Sequence, residues 1–154
     1  MSHKSPKIEA LLAGMQEVPG FDRHYVGFFR CFNAQLYYEA HDVLEEVWLP
    51  IRGRPQAKFY QGLIQMAGGF VHLQKGRLDP AARLFALALT NFEAYPSRHA
   101  GVDLDAIRHL CHHHREAIIE SQAKLNPWSR EHPPKLALPA GPPCDQGPCL
   151  ANTS

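Results

Sequence analysis

Residues 33–76 read NAQLYYEAHDVLEEVWLPIRGRPQAKFYQGLIQMAGGFVHLQKG, and the reading of this stretch decides the fold. At 100° per residue, Tyr37, Ala40, Leu44, Val47 and Trp48 share one face of a helix over 36–49, with Gln35, Glu39, Asp42 and Glu46 opposite. Pro50 ends that helix, because the residue before a proline avoids the helical region. The tight turn over 52–55 favours an antiparallel neighbour. The next helix, over 56–75, carries an unusually wide apolar arc that includes Phe59, Leu63, Met66, Phe70 and Leu73, which suits contact on two sides. It leaves only a narrow polar stripe of Lys58, Gln61, Gln65 and His72. Gly62, Gly68 and Gly69 flank the stripe, so another backbone is expected to come close there, and Gly76 closes the helix.

Outward from this centre, Ser5-Pro6 and Gly14 bound a short amphipathic helix. Asp22 caps a second, whose Tyr25, Phe28, Phe29 and Phe32 recur at helical spacing as core, while Gly27 permits close packing. Asp79-Pro80 supplies a cap and first position for a helix ending at Pro96. Asp103 caps a last helix running to about residue 125, with Leu104, Ile107, Cys111, His114 and Ile118 inward. Seven of the 13 prolines lie between Pro127 and Pro148, which excludes a helix there. Trp128, Leu136 and Leu138 could dock an extended strip onto the bundle, with disorder expected over 140–154. The expected fold is an all-α single-domain bundle of about five helices with an extended Pro-rich C-terminal tail. Its divisions are 1–20 (helix and linker), 21–125 (bundle) and 126–154 (tail, partly docked).

Composition narrows the function classes. The 154 residues are 45% hydrophobic and 20% charged, ordinary for a globular domain. A formal net charge of +1 offers no global field for a phosphate backbone, so no nucleic-acid partner is expected. No apolar run is long enough to span a bilayer and the N-terminus lacks a signal-peptide h-region, so a cytoplasmic protein is expected. Cys31, Cys111, Cys144 and Cys149 show no disulfide framework, and the CDQGPC spacing in the tail is neither a redox pair nor half of a zinc ribbon.

Three blocks carry a family resemblance: FNAQLYYEAHDVLEEVW over 32–48, FYQGLIQMAGGFVHLQKG over 59–76 and AARLFALALTNFEAYP over 81–96. Together they resemble the domain of unknown function 309 family across about 29–96, with 101–104 fitting that family's next helix start. The resemblance implies a small, all-helical, bundle-like protein of prokaryotes and implies no activity. Asp42 stands where the family motif usually has glutamate, at a position the helical wheel points outward.

The residues that might carry chemistry are Tyr38, His41, Glu45, Gln61, Gln65 and His72. Two antiparallel helices could bring them into one polar cluster. His41 and Glu45, four residues apart, make an imidazole–carboxylate pair, the two glutamines offer neutral donors and acceptors, and Lys58 could neutralise an anion. The competing reading is a mutually satisfied network that fixes helix register. A metal version would use His41, Glu45 and His72, or alternatively His109 and His113 on the last helix. The wheel places that second pair on a solvated face. No cofactor is expected. The leading functional reading is a small binding or interaction module for an unknown small ligand or protein, with room for a homo-oligomer. The alternative is a hydrolase using His41 and Glu45, with or without a metal.

Overall fold

A computed structural model describes residues 5–141. Six helices account for most of it: α1 (Ser5–Ala13), α2 (Arg23–Asn33), α3 (Tyr37–Trp48), α4 (Ala57–Gln74), α5 (Leu78–Phe92) and α6 (Leu104–Glu120). A 3₁₀ turn, Leu49–Ile51, follows α3 at Pro50, and two short antiparallel strands, β1 (Arg98–His99) and β2 (Val102–Asp103), precede α6. The protein is mostly helical, with six α-helices among the described residues.

Each helix from α2 onward packs on its neighbour in sequence, so α4 lies between α3 and α5. The core is strongly aromatic. Tyr25, Phe28, Phe29 and Phe32 from α2, Tyr37 from α3, Phe59 and Phe70 from α4, and Phe85 and Phe92 from α5 are all fully buried. Edge-to-face pairs, such as Phe32 with Phe70 at 5.3 Å and Phe70 with Phe85 at 5.1 Å, bring ring edges against ring faces, the arrangement their quadrupoles favour. Gly27 does admit a close neighbour. A Cβ there would sit 2.4 Å from Leu12 of α1.

The glycines of α4 work differently from expectation: aromatic side chains, not a backbone, fill the space they leave. Cβ atoms on Gly62 and Gly69 would fall 2.5 Å from the ring of Phe92 and 2.6 Å from that of Phe85. Both pairs are seven residues apart on their helices, so two rings of α5 seat into two notches of antiparallel α4.

Helix ends follow local chemistry. Asp22 and Asp103 cap α2 and α6, accepting from the amides of His24 at 2.7 Å and Ala106 at 3.1 Å. α4 ends in a Schellman arrangement: the Arg77 amide donates to the His72 carbonyl and that of Gly76, at φ +73°, to Leu73. That closure runs directly into α5, whose cap is Arg77, so Asp79 falls in the first turn instead of capping it. α6 stops at Glu120, short of residue 125, because Gln122 and Ala123 turn left-handed and their amides close back onto Ile119 and Ile118.

Beyond α6 the chain runs extended across the bundle. Asn33, at the end of α2, donates from Nδ2 to the Leu136 carbonyl and accepts its amide at Oδ1, both at 2.7 Å. Trp128 donates from Nε1 to the Tyr37 hydroxyl, and Trp128, Leu136 and Leu138 pack against the core. Ala140, in the stretch expected to be disordered, is held instead: its amide donates to the Gly101 carbonyl at 2.9 Å and its carbonyl accepts from Arg98 at 2.8 Å. Residues 142–154, with Cys144 and Cys149, lie outside the described residues. Among those described, no helix is long and apolar enough to cross a membrane.

Candidate functional site

Because α4 is buried against α3 on one flank and α5 on the other, only the stripe between them is open. Positions 61, 65, 68, 72 and 75 recur along it at helical spacing. Two cavities occupy this side of the molecule. The first, about 330 Å³, is lined by Tyr38 and His41 from α3, Leu84 from α5, and Ile64, Gln65, Gly68, Val71 and His72 from α4, with Lys75 at its end. The second, about 680 Å³, lies toward the start of α4 and is lined by Gln61 with Trp48, Lys58, Tyr95 and the 52–55 turn.

The candidate residues therefore divide. Tyr38, His41, Gln65 and His72 share the smaller groove. Gln61 belongs to the larger cavity. Glu45 sits one turn beyond His41, and one ligand atom from each of His41, Asp42 and Glu45 lies within 4.8 Å of the others. His41 Nδ1 is 3.2 Å from Asp42 Oδ1, so the closest carboxylate to this imidazole is that of Asp42. Asp42 corrects the helical wheel: it is 5% exposed, not outward. α3 is touched by α1, α2 and α4, so a wheel that assumes one solvent face fails for it.

Within the groove, Tyr38 is 55% exposed and its ring runs nearly parallel to that of His41, with centroids 6.2 Å apart. Gln65 lines the groove and is fixed from the α5 side, where its Oε1 accepts from Asn91 Nδ2 at 2.7 Å. His72 is the unusual member. Its Nδ1 is buried and has no hydrogen-bond partner among the described residues. Burial first, and then the cations Arg77, Lys75 and Arg83, hold its pKa below the usual imidazole range, so the ring is neutral near pH 7. A neutral imidazole with one nitrogen uncommitted can accept or donate a single bond.

The α6 histidines behave otherwise. His109 and His113 are exposed, their rings 6.3 Å apart at the centroids. His114 points inward, bonded from Nδ1 to the Leu110 carbonyl at 3.0 Å and packed edge-on against Phe70 at 4.8 Å. Burial lowers its pKa as well.

Ile64, Gly68, Val71, Lys75 and Leu84 were not among the sequence candidates, yet they form much of the groove. Most of the signal was present: stepping the Gln61–Gln65 stripe on by helical turns reaches 68, 72 and 75. Leu84 gives no such signal, since it arrives from a separate helix.

Fold and groove together define a small helical domain with an open face on its central helix. Residues 25–84 match the model of the family described as domain of unknown function DUF309, the family that the blocks around 32–48 and 59–76 resemble. An uncharacterised protein of Aquifex aeolicus is 31% identical over 77 residues. That match takes in 50% of this chain but 23% of the relative, so the chain spans only about a quarter of that relative's length.

Proposed function

We propose that this protein is a small cytoplasmic binding module whose α3–α4–α5 groove takes a compact ligand. The observation that carries this reading is His72, which lines a groove with Tyr38, His41 and Gln65 and keeps a buried Nδ1 without a partner among the described residues. A buried donor or acceptor left unpaired costs roughly 1–3 kcal/mol. A network kept only to fix helix register would be expected to pair it. The volume of about 330 Å³ falls at the lower end of small-molecule pockets, which run to roughly 300–1,000 Å³. The lining suits a ligand with an apolar or aromatic body against Ile64, Val71 and Leu84, and one polar group toward Gln65 and His72.

Ligand-observed NMR with a fragment library tests this, using His72→Leu and Tyr38→Ala as controls. Fragments that bind the wild type and lose binding in His72→Leu support the reading. A library whose hits bind both variants as well as the wild type, or a library with no hits, contradicts it.

A further inference from the structure

The larger cavity, of about 680 Å³, has a donor set of its own. Its lining includes Arg52, Arg54 and Lys58, together with Trp48, Gln61 and Tyr95, and no aspartate or glutamate. None of the three cations takes part in an ion pair among the described residues, although ion pairs occur elsewhere, as in Arg108 with Asp105 at 2.8 Å. The Arg52 guanidinium instead lies over the Trp48 ring, 5.8 Å from its centroid. Beneath it the Trp48 Nε1 proton is buried and has no acceptor among the described residues.

The surrounding backbone adds to this polarity. α4 begins at Ala57, in the cavity wall, and its cap Gln56 makes no side-chain capping bond. The first residue of an 18-residue helix is thus part of the same wall. The Tyr95 hydroxyl donates to the Pro55 carbonyl at 2.5 Å and accepts the Phe59 amide at 3.1 Å, so it takes up one first-turn amide of α4 and the three cations supply most of the positive charge. Those two bonds fix the turn that presents Arg52 and Arg54. Gly53, at φ +88° with nothing within 4 Å of where a Cβ would be, leaves the tip of that turn open.

We infer that this cavity is an anion site for a phosphate-bearing small molecule, separate from the α3–α4–α5 groove. Two guanidinium forks and an ammonium can meet the terminal oxygens of a tetrahedral phosphate together, whereas a carboxylate offers only two oxygens. The volume far exceeds that of a phosphate ion. The remainder of the ligand lies against Trp48, Ala57 and Ala94, with Gln61 free to bond a hydroxyl or ring nitrogen.

The test is a titration of the full chain followed by the Trp48 indole ¹⁵N–¹H resonance, one of two in the protein. The probes are pyrophosphate, ribose 5-phosphate, unphosphorylated ribose and citrate. Saturable shifts are expected with the two phosphates and not with ribose. Arg52→Gln and Arg54→Gln should each weaken phosphate binding about tenfold. Lys58→Gln should weaken it less, and Lys124→Gln, beyond α6, should leave it unchanged. All four are exposed surface positions, so the variants are expected to fold. An absent or non-saturating shift with both phosphates overturns the inference. So does citrate binding as tightly as pyrophosphate, or an undiminished affinity in Arg54→Gln. Fragment binding in the smaller groove is independent of each of these outcomes.

Discussion

The two sides of α4 show what one helix can be asked to do. Against α5, Gly62 and Gly69 give up their own side chains so that Phe92 and Phe85 can seat, and the seam is closed. On the open stripe, Gly68 has only Leu84 Cδ1 near its would-be Cβ, at 3.1 Å, and His72 keeps a buried nitrogen unpaired. The first side is built for stability. The second gives some of it up, and that difference is the reason to regard it as a site.

The largest expected effect breaks the closed side. Gly62→Ala and Gly69→Ala force a methyl into a buried ring, and overpacking of this kind typically costs roughly 1–3 kcal/mol, a loss of about 2–12 °C in melting temperature for a chain of this size. Gly68→Ala is the matched control. There the gain of about 1 kcal/mol in helix propensity competes with one tight contact to a partly exposed leucine, so denaturation should show little net change. If all three alanines cost the same, the contrast between the faces is lost.

A second effect depends on pH. His114 is buried, and His72 is half-buried; both have pKa values lowered from the ordinary imidazole value. The unfolded chain therefore binds their protons more readily than the folded one. Their contribution to stability is complete above the unfolded pKa of about 6.5 and is lost as pH falls through the folded values. His24, raised by its hydrogen bond with Asp22, works in the opposite sense: its contribution is complete below the unfolded pKa and is lost as pH rises through the folded value. Denaturation midpoints measured from pH 8 down to pH 5 should fall in the wild type. His114→Gln should flatten the fall more than His24→Gln alters it, because His114 is the more buried.

The smallest effect belongs to the rim. Tyr38 is 55% exposed, so Tyr38→Ala should move stability by no more than about 0.5 kcal/mol while weakening fragment binding in the groove. A large stability loss in this variant would mark the Tyr38–His41 stack as a structural element.

Much of this was legible in the sequence. The aromatic stripe of α2, the wide arc of α4 and the two aspartate caps follow from spacing and local chemistry, and these need only one helix at a time. The misreadings occur where two elements meet. A helical wheel turns Asp42 outward because it knows nothing of the three helices around α3, and Asp79-Pro80 reads as a cap because the closure of α4 onto Arg77 depends on a turn. The same limit hid half of the site. Leu84 and Asn91 reach the stripe from α5, and Trp48 meets Lys58 only because the 52–55 turn folds the two helices back on each other.

The most direct test of the account is the stability of His72→Leu by chemical denaturation. If the open side of α4 is kept for binding, removing its unpaired nitrogen should leave the protein as stable or stabilise it by about 1 kcal/mol. A variant clearly less stable than the wild type would show that His72 belongs to the packing of the bundle, and the groove would lose its claim to be a site.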